Sequence, residues 1–233
     1  MTARLVRQDG LLKVWELIGS DDEVRIEAML DLYVRLFPQY PHYISRMRQR
    51  AKFGEEHRPG HIVHYWLVEV DGQPAALRTF RYVRNRNCGL AIALAVDPAF
   101  REVLVDGERL SMFLFHACLN QVIADAERLG DPPVLGMVNE VEFPRLMEHY
   151  KRNGIIELPL EYVEPVFLPE EENSPPQFLP TALGFLPNPK LNGRTYNPNQ
   201  VADFALAFLV DHYGLPVDHP QIQAVLNSIS TLP

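Results

Sequence analysis

Apolar and polar positions follow their most regular pattern between residues 90 and 129. In Leu90–Val96 large side chains alternate with alanines and no charge interrupts the run, which predicts a strand that is covered on both faces. Asp97-Pro98 ends this strand, because proline donates no hydrogen bond to a ladder. From Glu108 to Leu129 apolar residues recur at helical spacing on most sides, so this segment predicts a long, largely buried helix. The alanine row leaves room for a packed helix or an extended ligand to approach the strand backbone.

A strand and two helices are predicted at the start of the chain. A mixed apolar run predicts a strand over Leu11–Ile18, near the edge of a sheet. Ser20, with Glu23 three places later, fits a capping box that opens the first helix. The apolar stripe predicted for this helix consists of Val24, Ala28, Leu32 and Leu36, with Met29 and Tyr33 beside it. A more basic second helix is predicted over His42–Phe53, whose charged face is either solvated or lines a substrate entrance.

A β-hairpin is the clearest local prediction. Two apolar runs, Ile62–Val70 and Ala75–Val83, are joined by a segment that begins Asp71-Gly72. Asp-Gly between apolar runs is a strong hairpin signal, because glycine accepts the positive φ that the turn requires. A polar turn then leads into the central strand, so that three antiparallel strands are expected to follow one another.

After the long helix the periodicity becomes weaker. A strand is predicted over Val134–Val138 and a helix over Phe143–Arg152, while Ile155–Leu168 has strand-like residues interrupted by prolines. From Pro165 to Pro198 the chain is rich in proline and polar residues, which is typical of a linker or a wrapping arm.

Two amphipathic helices are predicted at the C-terminal end, over Val201–His212 and after a cap at Asp218. Two such helices cannot bury their apolar faces alone, so they are expected either to dock on the main domain or to build a homodimer. The sequence therefore predicts a main domain over residues 1–168, a Pro-rich linker or wrapping arm over 169–198, and a C-terminal helical extension over 199–233.

Composition narrows the classes of function. Of 233 residues 47% are apolar, and the formal net charge is −8. An acidic surface argues against binding of nucleic acid or of anionic membranes, both of which require basic fields. The two cysteines, Cys88 and Cys118, make no disulfide framework, and no apolar signal or membrane-spanning run is evident, so a cytoplasmic location is expected. No acidic or cysteine cluster completes a ligand set around His57, His61 and His64, and no metal site is predicted.

Two short segments resemble motifs of the GNAT superfamily of acyl-CoA N-acyltransferases. The first is VDPAFR, from Val96 to Arg101, which is similar to the end of the family's central strand and the start of its pyrophosphate loop. The second is VLGMVNEVEFPRLMEHYKRNGI, which ends with Tyr150 and Gly154 in the family's Tyr-x-x-x-Gly spacing. With the element order, the resemblance covers roughly Leu11 to Phe167. It implies an α/β fold of the α+β type: a central mixed, mostly antiparallel twisted sheet flanked by helices.

The resemblance also implies a donor site for acetyl-CoA or another acyl-CoA. The pantetheine arm would pair with main chain at Leu94, Ala95 and Val96. The pyrophosphate would lie against the loop from Arg101 to Gly107 and the amides at the start of the long helix, at Glu108. A tyrosine at the position of Tyr150 would protonate the departing thiolate. A thiol has a pKa of about 8.5 and a tyrosine of about 10, so this proton transfer is chemically plausible.

The loop after Arg101 departs from the family's pattern. The family's glycines are replaced by Glu102-Val103-Leu104-Val105, Gly107 is the only glycine, and acids outnumber bases in this segment. The central strand also carries no carboxylate to serve as general base. The polar candidates nearby are Glu69, Asp71, His64, Asn139 and Glu140, and the sequence does not select among them. The family's usual asparagine would fall at Phe143, four positions after Asn139.

The leading hypothesis is an N-acyltransferase that moves an acetyl or other acyl group from acyl-CoA to a primary amine of a small molecule. Tyr150 would be the acid, with Asn139 and Glu140 as further candidate catalytic residues. The first alternative is a GNAT-fold protein without CoA chemistry that acts as a ligand-binding or interaction module. The second is an acyltransferase that uses a carrier-protein thioester, for which a poor pyrophosphate loop would matter less.

Overall fold

The computed structural model describes residues 2–54, 60–167, 176–191 and 196–230. Contacts divide the chain into two compact units. The N-terminal unit comprises Met1–Arg81 and Ala91–Gln121, and the C-terminal unit comprises Tyr82–Leu90 and Val122–Pro233. In chain order the strands and helices are β1 (Arg4–Asp9), β2 (Leu12–Glu16), α1 (Glu23–Leu36), α2 (Ile44–Phe53), β3 (His61–Val70), β4 (Gln73–Val83), β5 (Cys88–Val96), β6 (Leu104–Val105), β7 (Glu108–Arg109), α3 (Leu110–Leu129), β8 (Gly136–Val141), α4 (Pro144–Lys151), β9 (Ile156–Glu157), β10 (Val163–Val166), β11 (Gln177–Pro180), β12 (Ala182–Pro187), α5 (Pro198–Leu206) and α6 (Pro220–Ser230).

The sheet of the N-terminal unit has the order β1-β2-β3-β4-β5. β2 pairs antiparallel with both β1 and β3. The predicted hairpin is confirmed as β3 and β4, because Asp71 and Gly72 have φ values of 51° and 73°, as a tight hairpin turn requires. The first predicted strand is β2, but it is preceded by β1, which the sequence analysis did not predict. Charged and polar residues dominate Arg4–Asp9 and leave little apolar pattern, as is typical of an exposed edge strand.

Helix α1 begins later than the predicted capping box. Its N-cap is Asp22, whose carboxylate accepts a hydrogen bond from the Arg25 amide at 3.1 Å, so the prediction of Ser20 as the cap is wrong. The buried face is centred on Ile26 and follows i, i+3, i+4 and i+7 from it. It includes Met29 and Tyr33, as predicted, whereas the start of the predicted stripe is not buried. Val24 is 81% exposed. The buried side chains are Ile26, Met29, Leu30, Leu32 and Tyr33, which pack in one core with α2 and the sheet.

The connection between β5 and α3, which was predicted as a loop, contains a short hairpin. β6 and β7 pair antiparallel, and Asp106 and Gly107 form their turn with φ values of 54° and 83°. Glu108 therefore lies in β7, and the long helix starts two residues later, at Leu110. The predicted helix start at Glu108 is corrected accordingly. The predicted end is confirmed, since Leu129 closes α3 and Gly130 follows with a φ of 69°.

The sheet of the C-terminal unit has the order β5-β8-β12-β9. β12 pairs antiparallel with β8 and with β9. β8 begins at Gly136 and continues to Val141, whereas the sequence predicted Val134–Val138. The start moves because the Leu135 amide donates to the Asn87 carbonyl and the Asn188 side chain donates to the Val134 carbonyl. Asn139 and Glu140 consequently lie on a strand and point to opposite faces of it.

Two strands lie where the composition indicated a linker or wrapping arm. β11 pairs antiparallel with β10, and β12 is an inner strand whose Leu183, Phe185 and Leu186 are buried. The short apolar run of β12 is flanked by prolines and polar residues, and the bias of the surrounding composition concealed it. In the part of the chain that the structure describes, residues 169–198 thus include regular elements of the C-terminal unit.

The C-terminal helices pack within the C-terminal unit. α5 opens with a capping box between Asn197 and Gln200 and continues into a π-helical turn over Ala207–His212. The Phe204 ring stacks on the Phe185 ring of β12 at 4.6 Å. The predicted apolar face is buried: Val201, Phe204, Ala205, Phe208 and Leu209. Homodimer formation through these helices stays a prediction. Among the described residues, no helix combines the length and apolar character needed to cross a bilayer.

Candidate active site

The end of β5 is the predicted bed for the donor arm, and it belongs to the N-terminal unit. Ala95 is buried, while Leu94 and Val96 are half-buried. The Ala93 amide donates to the Thr79 hydroxyl at 3.1 Å. The Asp97 amide donates to the Ala75 carbonyl at 2.9 Å. Thr79 thus contributes a side-chain hydrogen bond to β5 just before the predicted donor-binding backbone.

The β6–β7 hairpin changes the predicted phosphate cradle. The Leu110 amide, the first of α3, donates to the Val103 carbonyl at 3.0 Å. Amides at a helix start bind anions when no other acceptor takes them, so the Leu110 amide is committed to the loop itself. Gly107 is exposed at the tip of the hairpin, and adding a Cβ there would meet nothing within 4 Å. Its glycine serves the positive φ of the turn.

Each of the four carboxylates around this hairpin lies against a basic side chain. The distances are 2.7 Å for Asp97–Arg35, 2.8 Å for Glu102–Arg109, 2.6 Å for Asp106–Arg7 and 2.8 Å for Glu108–His116. Arg101 is exposed, its Nε lies 3.5 Å from the Val96 carbonyl, and no carboxylate of the described chain pairs with it. Three of these carboxylates are thus neutralised by arginines and Glu108 is hydrogen-bonded to His116, while Arg101 has no carboxylate partner among the residues that the structure describes.

The three predicted catalytic residues belong to the C-terminal unit. Tyr150 lies near the end of α4 and is 8% exposed. The amides of Asn153 and Ile155 donate to its carbonyl, which closes the helix and fixes the backbone of this tyrosine. α4 ends at Lys151, and the turn that follows it contains Gly154, whose φ of 85° suits glycine.

Asn139 has a side chain that the described residues do not satisfy. It is 3% exposed, and neither its Oδ1 nor its Nδ2 has a hydrogen-bond partner. The amide lies over Gly184, where a Cβ would come within 2.8 Å of Oδ1 and 3.1 Å of Nδ2. Leaving a buried polar group unpaired costs about 1–3 kcal/mol. The pantetheine arm of an acyl donor carries amide groups that could pair with both atoms, so Asn139 fits such a ligand chemically.

Glu140 lies in a network of hydroxyl groups and a second carboxylate. The Tyr162 hydroxyl donates to its Oε1 at 2.5 Å, and the Tyr213 hydroxyl lies 2.7 Å from its Oε2. Tyr213 is also 3.4 Å from Glu164 Oε1, and the Thr181 hydroxyl is 3.4 Å from Glu164 Oε2. We call Glu140, Glu164, Tyr162 and Tyr213 the carboxyl–tyrosine cluster. It joins β8, β10 and the segment that follows the π-helical turn.

Burial sets the protonation of this cluster. Loss of solvent raises the pKa of Glu140 well above its usual value, and the charge of Glu164 raises it further. Burial also raises the pKa of Glu164, with a smaller effect from the charge of Glu142, to about 7. The pKa values of Tyr162 and Tyr213 are raised chiefly by burial, so both hydroxyls stay protonated. The pair of carboxyl groups therefore holds a proton near neutral pH.

The remaining base candidates are engaged elsewhere in the N-terminal unit. Glu69 accepts a hydrogen bond from the Trp15 indole at 2.7 Å and pairs with Arg25 at 3.2 Å. His64 Nδ1 lies 2.6 Å from Glu16 Oε2. Asp71 lies in the turn of the β3–β4 hairpin. Of the three carboxylates among the five candidates, Glu140 is the one that lies in a cluster with a second carboxylate in the described part of the chain, whereas His64 is paired with Glu16.

Several functional candidates escaped the sequence analysis. Glu164, Tyr162 and Tyr213 meet Glu140 from positions 22 to 73 residues away, and no local motif marks such contacts. Arg7 and Arg35 compensate the hairpin carboxylates from β1 and α1. Tyr213, which follows the π-helical turn, and Glu164, which precedes a proline, carry no sequence signal beyond their residue types.

Solved structures of other proteins share the fold of this chain. No protein-family model and no curated protein matches the sequence. A solved chimera of the spermidine N-acetyltransferase SpeG from Vibrio cholerae and hSSAT is 12% identical, covers 79% of this chain and 100% of its own, and has a TM-score of 0.51. A second solved structure, described only as an acetyltransferase, is 12% identical, covers 90% of this chain and 96% of its own, and has a TM-score of 0.50. The mostly antiparallel sheets flanked by helices are therefore those of the GNAT fold.

Proposed function

We propose that this protein is an N-acyltransferase that moves an acetyl or other acyl group from acyl-CoA to a primary amine of a small molecule. Its fold is that of solved acetyltransferases, one of which is named for the small amine spermidine. Fold alone does not determine an activity, so the proposal depends on the residues around β5, β8 and α4.

The observation that carries the proposal is the pairing of every hairpin carboxylate with a basic side chain. Unpaired acids would repel the phosphates of CoA. With Asp97, Glu102 and Asp106 paired with arginines and Glu108 hydrogen-bonded to His116, the exposed Arg101 is available to hold a phosphate. Arginine suits this role because its planar fork donates two parallel hydrogen bonds.

The proposed reaction needs no covalent enzyme intermediate. The neutral amine nitrogen attacks the thioester carbonyl, a C–N bond forms, and the C–S bond breaks. Tyr150 gives its proton to the departing thiolate, and Asn139 orients the donor through its unpaired amide. The proton that the attacking nitrogen loses passes to solvent, and the Tyr150 hydroxyl is restored from solvent, so the step balances without a further base.

A second donor class is favoured by the β6–β7 hairpin. The Leu110 amide is committed to Val103, and the glycine-rich loop of the family is absent from this segment. A thioester on a carrier protein has no CoA pyrophosphate and would not need that cradle. The acyl chemistry at Tyr150 would be the same for both donors.

Calorimetry and turnover with two donors test the proposal. Acetyl-CoA and acetyl-pantetheine share the thioester and the arm, but the second lacks the pyrophosphate. We expect acetyl-CoA to bind and to acylate members of a panel of small primary amines, with a kcat/KM at least about tenfold above that of acetyl-pantetheine. Equal values would favour the carrier-protein donor. Neither heat, thermal shift nor thiol release with either thioester would reject an acyltransferase and favour the ligand-binding module.

A tyrosine substitution tests the assigned acid. Tyr150→Phe should lower kcat by about 10²–10⁴-fold and leave the Kd of acetyl-CoA nearly unchanged, since general acid catalysis contributes that much. The control is Tyr82→Phe, which removes another buried hydroxyl of the C-terminal unit, one that donates to Asp131 at 3.2 Å. Similar losses in both variants would remove Tyr150 from the chemistry.

A further inference from the structure

A cleft in the C-terminal unit lies apart from the residues assigned above to donor binding and acid catalysis. Its volume is about 640 Å³, within the range of sites that hold small organic molecules. Residues from the end of β8, α4, the segment 157–163, β12 and α6 form its walls. One helix and one strand edge alone could not enclose such a space, so the cleft depends on the docked α6.

The floor of this cleft is apolar. Met147, Leu158, Tyr162 and Val225 contribute to it, and all four are buried. The Tyr162 hydroxyl is engaged by Glu140 at 2.5 Å, so its polar end is already satisfied. A ligand that lies on this floor therefore needs an apolar body, and a bare metal ion would gain nothing from it.

The rim of the cleft is acidic. Four glutamates line it, namely Glu142, Glu148, Glu157 and Glu161, and the described residues of the lining include no lysine, arginine or histidine. Lys151 lies 3.1 Å from Glu148 and 2.5 Å from Glu157, and one ammonium group is thus shared between two of the carboxylates. Glu142 and Glu161 have no basic partner among the described residues, and both are exposed.

The negative charge of Glu142 on the rim also acts on Glu164 in the carboxyl–tyrosine cluster. After burial, the negative charge of Glu142 is the largest cause that raises the pKa of Glu164. A cation beside Glu142 would relieve this repulsion. Both the rim and the interior therefore favour a positively charged group at the mouth of the cleft.

We infer that this cleft binds an organic ammonium ion with an apolar body. The ammonium group lies between Glu142 and Glu161, and the hydrocarbon lies on Met147, Leu158 and Val225. This inference holds whether or not the protein is an acyltransferase. The ligand is either the acceptor of acyl transfer or a separate amine that binds beside the reaction.

Binding of n-hexylammonium compared with n-hexanol tests the inference. The two probes have the same hydrocarbon chain and differ in the charged group. By calorimetry we expect n-hexylammonium to bind at least about tenfold more tightly than n-hexanol, because charge pairing adds to the same burial. Equal affinity for both probes, or no binding of either, would overturn the inference.

A matched pair of double variants locates the site. Glu142→Gln with Glu161→Gln should weaken n-hexylammonium binding about tenfold and leave n-hexanol binding unchanged. The control, Glu127→Gln with Asp218→Asn, removes the same charge from exposed residues of the C-terminal unit outside the cleft. An equal loss in both double variants would show only a general charge effect and would refute the assigned cleft.

Acetyl-CoA distinguishes the two sources of the amine. Acetylated hexylamine, formed by the wild type and with a raised amine KM in the Glu142→Gln, Glu161→Gln variant, identifies the ligand as the acceptor. Binding at the cleft without acetylation identifies an amine ligand distinct from the acceptor. Failure of the acetylation arm alone thus tests the proposed function, while failure of the binding arm tests the cleft.

Discussion

Carboxylates are treated in opposite ways in two regions of the molecule. Around the β6–β7 hairpin of the N-terminal unit, each carboxylate lies within 2.8 Å of a basic side chain. In the carboxyl–tyrosine cluster of the C-terminal unit, Glu140 and Glu164 have hydroxyl partners instead. The first arrangement pairs carboxylates with basic side chains, mostly at an exposed surface. In the second, burial raises the pKa of the carboxyl groups, although the hydroxyl hydrogen bonds lower it.

This difference separates two uses of the same residue type. A compensated carboxylate leaves its neighbourhood open to a phosphate and contributes little to stability when it is exposed. A buried carboxylate with hydroxyl partners stores a proton that it can exchange near neutral pH. The effects of substitutions in the two regions should therefore differ in magnitude, in pH dependence and in their response to salt.

The largest expected difference is in stability. Glu140→Ala removes the acceptor of the Tyr162 and Tyr213 hydroxyls, and each orphaned buried group costs about 1–3 kcal/mol. We expect the free energy of unfolding in urea to fall by about 3 kcal/mol. Glu140→Gln keeps an acceptor oxygen and should cost less.

The control for this prediction is Glu102→Ala in the hairpin. Glu102 is exposed and pairs with Arg109, so its removal should leave the unfolding midpoint within experimental error. A loss as large as that of Glu140→Ala would mean that the two kinds of carboxylate do not differ energetically.

The next effect is a dependence of stability on pH. The pKa of Glu164 is raised from 4.5 to about 7 in the folded chain, so the folded state holds a proton that the unfolded chain has released. The contribution of Glu164 to the free energy of unfolding therefore falls as pH rises through about 7, by on the order of 3 kcal/mol in total, and the raised pKa of Glu140 extends the fall to higher pH. Thermal unfolding across about pH 5–8 measures it.

Glu164→Gln should reduce the slope of this pH profile near pH 7, because glutamine does not titrate, while the slope that Glu140 contributes remains. Glu127→Gln serves as the matched control, since Glu127 is an exposed glutamate that pairs with Lys190 at 3.0 Å. A flat profile in the wild type, or an unchanged slope in Glu164→Gln, would assign the proton to other groups.

The same contrast explains how far the sequence could predict the molecule. The β3–β4 hairpin and the end of α3 follow local rules, because Asp71-Gly72 and Gly130 need positive φ values. The strand β5 was marked by its uninterrupted apolar pattern. These elements depend on neighbours in sequence, and the prediction of each was correct.

Elements that depend on distant partners were missed or shifted. β12 is a strand because β8 and β9 pair with it, and its proline-flanked sequence carries little pattern of its own. The hairpin of β6 and β7 replaced the predicted helix start at Glu108.

The candidate site shows the same limit. Tyr150 and Arg101 were identified through short motifs. The carboxyl–tyrosine cluster and the partners Arg7 and Arg35 arise from contacts that a single sequence does not encode locally. The acids of the hairpin segment can be counted in the sequence, but their pairing with basic side chains such as Arg7 and Arg35 depends on the fold.

A smaller effect is expected on donor binding. Arg7 pairs with Asp106 at 2.6 Å and lies over the Phe113 ring at 4.7 Å. Arg7→Ala leaves Asp106 uncompensated, so we expect the KM for acetyl-CoA to rise about threefold to tenfold with little change in kcat. Adding Asp106→Asn should restore the KM, which a double-variant cycle measures. An additive loss in the double variant would contradict compensation as the role of Arg7.

The smallest effect, and the sharpest test of the contrast, is the response to salt. The side chains of Arg7 and Asp106 are 40% and 63% exposed, and at about 0.5 M NaCl the screening length falls to about 4 Å. The KM ratio between Arg7→Ala and the wild type should therefore fall to within about twofold. The difference in pH profile between Glu164→Gln and the wild type should persist, because salt screens buried groups much less. If salt removed both effects equally, the carboxyl–tyrosine cluster would be as accessible to solvent as the hairpin, and its proton would have no special place in the chemistry of this protein.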